Sequence, residues 1–184
     1  MKQKIISDGF VPGKRSRLFE IRPSRRLLFE TLSANEGGRI VSLFKGIPEP
    51  GLDSCFLDIA LCQKYASDSV FRQKDKQGCD WIISNKHQID IGILHLYYVH
   101  ESRGKKVCTI GYALSPEFRG LGYANEAIQH LIFWLEQKGF SEIKAVTGKE
   151  NKSSVILLKK NSFEPARKLK NRKGKWVTWK RKLN

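Results

Sequence analysis

Apolar residues at Ala124, Ala127, Ile128, Leu131, Ile132 and Leu135 follow steps of three and four, which predicts one buried helix face between Gly122 and Lys138. Gly139 supplies the stop. Before that helix the spacing changes. Trp81–Ser84, Ile89–His100 and Val107–Leu114 are apolar runs of strand length, and the polar stretch Glu101–Lys106, with its glycine, reads as a hairpin turn. Three strands in succession predict an antiparallel meander. After the helix come a short strand at Ile143–Val146 and a second helix at Ser153–Lys160.

The flanks are less regular. Arg17–Pro23 reads as a first strand closed by proline, and Ser24 to Leu32 as a cap and the start of a helix. Gly37 to Gly51 holds two prolines and four glycines and reads as loop, whereas Cys55 to Tyr65 has helical spacing. Residues 1–16 form a basic lead-in. Residues 167–184 predict a basic closing hairpin, with strands at Arg167–Lys170 and Lys175–Leu183 and a turn near Asn171–Gly174. The order is strand, helices, three strands, helix, strand, helix, strands: an α/β (α+β) fold in one domain spanning 1–184.

Composition agrees with a packed globule: 184 residues, 40% hydrophobic. No apolar run approaches the ~20 residues of a bilayer span, and residues 1–8 lack a signal-peptide core. The expectation is a cytoplasmic protein with no membrane partner. Cysteines at 55, 62, 79 and 108 form no CxxC pair, so no metal site is expected and all four read as small reduced hydrophobes. The net charge of +16 would draw in nucleic acid, ribosomes or acidic proteins.

The segment Ile110–Ala127 carries the candidate chemistry. A strand ends, a loop containing Arg119-Gly120-Leu121-Gly122-Tyr123-Ala124 follows, and a long helix opens. Such a loop aims several main-chain N–H groups at one point, and the helix dipole adds positive potential. Glycine lets the backbone approach a diphosphate without a Cβ in the way. Arg119 adds a charge suited to phosphate oxygens. The Gly-Lys-Ser/Thr ending of a Walker loop is absent, and so is the third glycine of a dinucleotide fingerprint.

Arg119-x-x-Gly122-x-Ala124 resembles the Arg/Gln-x-x-Gly-x-Gly/Ala signature of GNAT acetyltransferases. The words Ile110-Gly111-Tyr112, Pro116-Glu117-Phe118-Arg119-Gly120, Glu126-Ala127, Asn151-x-x-Ser154 and Ser162-Phe163 are similar to the Rim-type branch, which acetylates ribosomal-protein N-termini. The resemblance covers about Trp81 to Pro165. It implies a mixed, mostly antiparallel sheet flanked by helices, with acetyl-CoA as co-substrate and direct transfer to a primary amine. It also implies that the strand ending at Leu114 bulges near its end and splays from the strand at 143–146. The acetyl-pantetheine arm would lie in that gap against Leu114. The N–H groups of Arg119, Gly120, Leu121, Gly122, Tyr123 and Ala124 would hold the diphosphate, Asn151 would reach the arm, and Ser154 would help protonate the leaving thiolate.

The general base is unassigned. Relatives carry Glu shortly before Gly-Tyr, where this chain has Cys108 and Thr109; Leu158 stands where other members place an acid tyrosine. Asp90, His95, His100 and Tyr112 qualify by location alone, and each has an ordinary structural reading. Ser162 replaces the usual glycine before Phe163, which shifts the expected helix stop to Asn161. Residues 167–182 hold nine Lys or Arg and no acid, with Trp176 and Trp179 interleaved. That suits RNA or ribosome contact; it also suits a hairpin with its tryptophans in the core. The acceptor expected is a ribosomal or acidic protein N-terminus. A small-molecule amine, or a catalytically idle acyl-CoA-binding adaptor, are the competing readings.

Overall fold

A computed structural model of the chain describes residues 19–45, 58–166 and 176–183. Seven strands form one sheet: β1 (Leu27–Thr31), β2 (Cys79–Asn85), β3 (Asp90–Ser102), β4 (Lys105–Leu114), β5 (Phe140–Gly148), β6 (Glu164–Pro165) and β7 (Trp176–Lys182), in the order β1-β2-β3-β4-β5-β7-β6. Only β4–β5 is parallel; every other neighbouring pair is antiparallel. Four α-helices, α1 (Gly37–Phe44), α2 (Ile59–Lys74), α3 (Tyr123–Gln137) and α4 (Lys152–Lys160), and a short 3-10 helix at Pro116–Phe118 complete the described fold.

The sheet is buried on both faces, which is why all seven residues of β2 are buried and its run looks continuous rather than alternating. Side chains still alternate. Trp81, Ile83, Leu94 and Leu96 pack with Ile128, Leu131 and Leu135 of α3. Ile82 and Ile93 point the other way, onto Ile40, Leu43 and Phe44 of α1 and Cys62 and Ala66 of α2. The two faces thus have separate cores and separate helices.

The helix at 122–138, the meander, the second helix and the short fifth strand all occur, each within a few residues of expectation. The N-terminal expectation is corrected. Within the described part of 17–23 there is no strand; Phe19 and Ile21 instead pack into the core, where Trp81 Nε1 donates to the Phe19 carbonyl (2.8 Å) and Trp134 Nε1 to the Glu20 carbonyl (2.8 Å). The first strand is Leu27–Thr31, inside the stretch read as a helix start, because β2 offers it a full register from Leu27↔Asn85 to Thr31↔Trp81. Gly37–Phe44, read as loop, is helical, its apolar Ile40, Leu43 and Phe44 held by α2 and the sheet.

The helix stop at the end of α4 also differs. Ser162 itself takes the left-handed conformation (φ 59°), with Phe163 N–H bonded to Leu158 O (3.0 Å) and Ser162 N–H to Lys159 O (3.0 Å). Asn161 acts through its side chain, donating to Asn125 Oδ1 (3.1 Å) and Leu157 O (2.9 Å). Of the closing hairpin, β7 is described and pairs between β5 and β6; the expected strand at 167–170 and the turn at 171–174 lie outside the described residues. Trp179 is buried and Trp176 half exposed. Cys62, Cys79 and Cys108 are buried and reduced; burial pushes the Cys108 thiol up to about 12 and Cys79 higher still. Cys55 lies outside the described residues.

Candidate active site

The parallel pair β4–β5 is hydrogen-bonded only from Lys106↔Phe140 to Ile110↔Ala145, with a register shift between Lys106 and Val107. Beyond it β4 runs on to Leu114 while β5 runs on to Gly148, held by β7 on its far side. The sheet is therefore split between the last residues of β4 and β5, as expected. The expected bulge at the end of β4 is absent: pairing with β3 is regular from Tyr97↔Thr109 to Gly92↔Leu114. The irregularity sits on β3, where the register shifts between Tyr97 and His100 and Tyr98 takes a φ of 52°.

A cleft of about 1840 Å³ runs through the split. Gly120, Gly122 and Tyr123 line one part of it, Asn151 and Ser154 another, and Tyr65, Asp80 and His95 a third. Because α3 covers one face of the sheet and α2 the other, the cleft connects the two faces.

At the α3 end, Gly120 (φ 73°) and Gly122 (φ 81°) turn the chain through conformations that side chains resist. A Cβ on Gly120 would meet nothing within 4 Å. The first main-chain bond of the helix is Glu126 N–H to Gly122 O (3.1 Å). The N–H groups of Tyr123, Ala124 and Asn125 precede that bond and lie outside the helix ladder. With the glycine loop before them they stand at the positive end of a 15-residue helix, a donor set suited to a diphosphate.

Arg119 is placed differently from the sequence expectation. Its guanidinium turns back and donates from Nε (3.0 Å) and Nη2 (2.8 Å) to the Leu114 carbonyl, pinning the end of β4 to the loop. A second arginine, missed in the sequence, stands at the loop. Arg26 Nη1 donates to Leu121 O (3.1 Å), its guanidinium lies 4.5 Å from the Tyr123 ring centre, and its Nε pairs with Glu126 Oε2 (2.7 Å). Ser24 Oγ adds a bond to Glu126 Oε1 (2.5 Å). Burial opposes ionisation of Glu126, but the bonds from Ser24 and Arg26 hold its carboxyl below the usual range.

At the start of α4, Asn151 Oδ1 caps the helix, accepting from Ser154 N–H (3.1 Å) and Ser153 Oγ (2.9 Å). Ser154 is half-buried on the cleft wall. The Tyr112 hydroxyl is buried with no hydrogen-bond partner of normal geometry among the described residues; Ser154 is the polar side chain that bears on it, and burial raises its pKa. An orphaned hydroxyl at the split, beside the amide loop, fits a site that a ligand completes.

At the α2 end, Asp80 on β2 lies opposite His95 on β3. Asp80 Oδ1 is 2.6 Å from His95 Nδ1 and accepts from Tyr65 Oη (2.6 Å), and Arg72 Nη2 donates to Oδ2 (2.5 Å). Burial alone would raise the Asp80 pKa, but the bond to His95, with the His95 and Arg72 charges, brings it to about 2. Of the other candidate bases, Asp90 lies outside the cleft, clamped by Arg39 through two 2.8 Å bonds. His100 is exposed at the mouth, with Nδ1 3.0 Å from Tyr98 O. Asp80, Tyr65 and Arg72 were not singled out from sequence. A lone acid among the apolar residues of a central strand was the available signal.

A family model described as an acetyltransferase (GNAT) domain matches residues 54–164. The chain belongs to the GNAT acetyltransferases. It is therefore an acyltransferase, with acetyl-CoA as co-substrate, and the loop, the split sheet and the orphaned hydroxyl fit that donor. Among solved structures, this GNAT chain is similar to RimL, the ribosomal L7/L12 α-N-protein acetyltransferase in complex with coenzyme A (TM-score 0.76, 15% identity, covering 89% of this chain and 97% of that one). It is also similar to the ribosomal-protein-S5-alanine acetyltransferase from Vibrio fischeri (TM-score 0.73, 16% identity, covering 90% and 97%). A third likeness is the microcin C7 self-immunity acetyltransferase in complex with acetyl-CoA and AMP (TM-score 0.70, 15% identity, covering 87% and 94%). At these identities the likeness is one of fold. No curated protein matches the sequence. Among the described residues no group of acids, histidines and cysteines is arranged to hold a metal, and no helix is long and apolar enough to cross a membrane.

Proposed function

We propose that this chain acetylates the α-amine of an acidic protein or peptide N-terminus, such as that of a ribosomal protein, in the cytoplasm. One observation carries the reading: a single cleft joins the amide loop on the α3 face to a roomy mouth on the α2 face, through the split between β4 and β5. A thioester seated in the split would be open to an amine arriving from the opposite face.

The amides of Gly120 to Ala124 hold the diphosphate, while Arg119 fixes Leu114 and so sets the free edge of β4. That edge supplies main-chain partners for the amide-bearing arm of the donor, and Asn151, at the α4 cap, contacts the same arm. Ser154 donates toward the departing sulfur. Lys149 and Lys152 rim the cleft, and the whole chain carries +16, so an acidic acceptor is drawn in and a polyamine repelled. The basic segment 167–182 suits contact with RNA or a ribosome that presents such an N-terminus.

Thiol release from acetyl-CoA tests this with a peptide bearing a free α-amine followed by Asp and Glu, a lysine-rich counterpart, and spermidine. The acidic peptide should give a kcat/KM at least about tenfold higher, an advantage that shrinks as salt rises. Equal or faster turnover of spermidine would overturn the acceptor class. Tight coenzyme binding with no turnover of any amine would point to the adaptor instead.

A further inference from the structure

We propose that His95 is the general base of the transfer and that Asp80 positions it. This deepens the proposed function and rests on it. Asp80, His95 and Gly111 lie in one row across β2, β3 and β4, on the face covered by α2. That is the face from which an amine would reach a thioester held in the split. His95 is buried but lines the cleft.

Two geometric facts orient the imidazole. Asp80 Oδ1 and Tyr65 Oη each lie 2.6 Å from His95 Nδ1; with Tyr65 and Arg72 donating to the carboxylate, Nδ1 is the nitrogen that donates to Oδ1, which leaves Nε2 as the basic nitrogen. On the other side, a Cβ on Gly111 would stand 3.3 Å from His95 Cδ2, the carbon bonded to Nε2. The bare glycine thus admits the Nε2 edge of the ring over β4, three residues before the strand reaches Leu114. Among the described residues, the titratable and charged groups around the ring include Asp80 on β2, Tyr65 and Arg72 on α2, and Tyr97 on β3. Arg72 and Tyr65 both donate to Asp80, so the carboxylate keeps its charge and its place while the imidazole cycles.

The step balances. The acceptor nitrogen forms a C–N bond to the thioester carbon and gives one N–H proton to His95 Nε2. The C–S bond breaks, the sulfur leaves with the electron pair and takes a proton from Ser154 Oγ, which solvent replaces, and His95 returns its proton to solvent. The ring becomes an imidazolium beside the Asp80 carboxylate, which offsets the new charge.

The test is His95→Gln in the full chain, with acetyl-CoA and the acidic peptide as probes. Coenzyme A affinity by calorimetry should stay within about twofold, because the cradle lies on the other face, while kcat should fall about 10²–10⁴-fold. A second series, from ethylamine to trifluoroethylamine, should show the penalty shrinking as the amine becomes less basic, since a weakly basic amine needs less help to lose its proton. For Asp80→Asn, imidazole ¹⁵N spectra should show loss of the Nδ1–H tautomer, a signature that simple loosening of the fold would not produce. Unchanged kcat in His95→Gln with an active wild type would overturn the base assignment alone. A wild type silent towards the peptide and every amine would overturn the transferase reading and this assignment together.

Discussion

Arg26 and Glu126 stand a hundred positions apart in the chain and meet at 2.7 Å at the first turn of α3, where the same arginine also bonds the Leu121 carbonyl. The pair ties the segment before β1 to the amide loop. Glu126 sits at the positive end of the helix, where a carboxylate is favoured. Because its folded-state pKa is depressed, its stabilisation is fully present above the ordinary value of 4.5 and is lost as the pH falls through the lower folded value. Thermal melts should therefore show wild-type Tm falling more steeply than that of Glu126→Gln once the pH drops below about 4.5.

Gly122 and Gly139 take similar left-handed conformations, φ 81° and 73°, at opposite ends of α3. Valine at either should cost about 1–2 kcal/mol from backbone strain. Only Gly122→Val should also weaken coenzyme A binding, by tenfold or more, because it distorts the amide cradle. Calorimetry on both variants separates the two effects, and intact affinity in Gly122→Val would remove the basis for placing the diphosphate there.

Tyr112 keeps a buried hydroxyl without a normal hydrogen bond, with Ser154 as its polar neighbour. Removing an unsatisfied buried hydroxyl relieves a desolvation cost, so Tyr112→Phe should leave Tm unchanged or raise it. A lower kcat in the same variant, with a smaller loss in Ser154→Ala, would mark the hydroxyl as a group that the bound thioester engages. A fall in Tm would show instead that the free protein already uses it.

Ser162 ends α4 at φ 59° where a glycine would sit without strain. Ser162→Gly should stabilise the chain by up to about 1 kcal/mol, seen as a higher Tm at unchanged kcat.

Elements whose pattern is local can be read along the chain: the α3 stripe, the β2–β3–β4 meander, the glycine loop after Leu114 and the Asn151 cap. Each follows from spacing, or from a residue whose backbone or side chain acts on its near neighbours. The family signature was legible for the same reason, being one contiguous strand–loop–helix. The rest depended on contacts made across the fold. Leu27–Thr31 became a strand because β2 presented it with an unpaired edge, overriding its local resemblance to a helix start. Arg119 turned to the Leu114 carbonyl, and Arg26 came to the loop from a hundred residues away. The placement of His95 depended on antiparallel register, which set Asp80 on one side of it and the bare backbone of Gly111 on the other. A register is a long-range agreement between strands, and the spacing of residues along any one of them does not contain it.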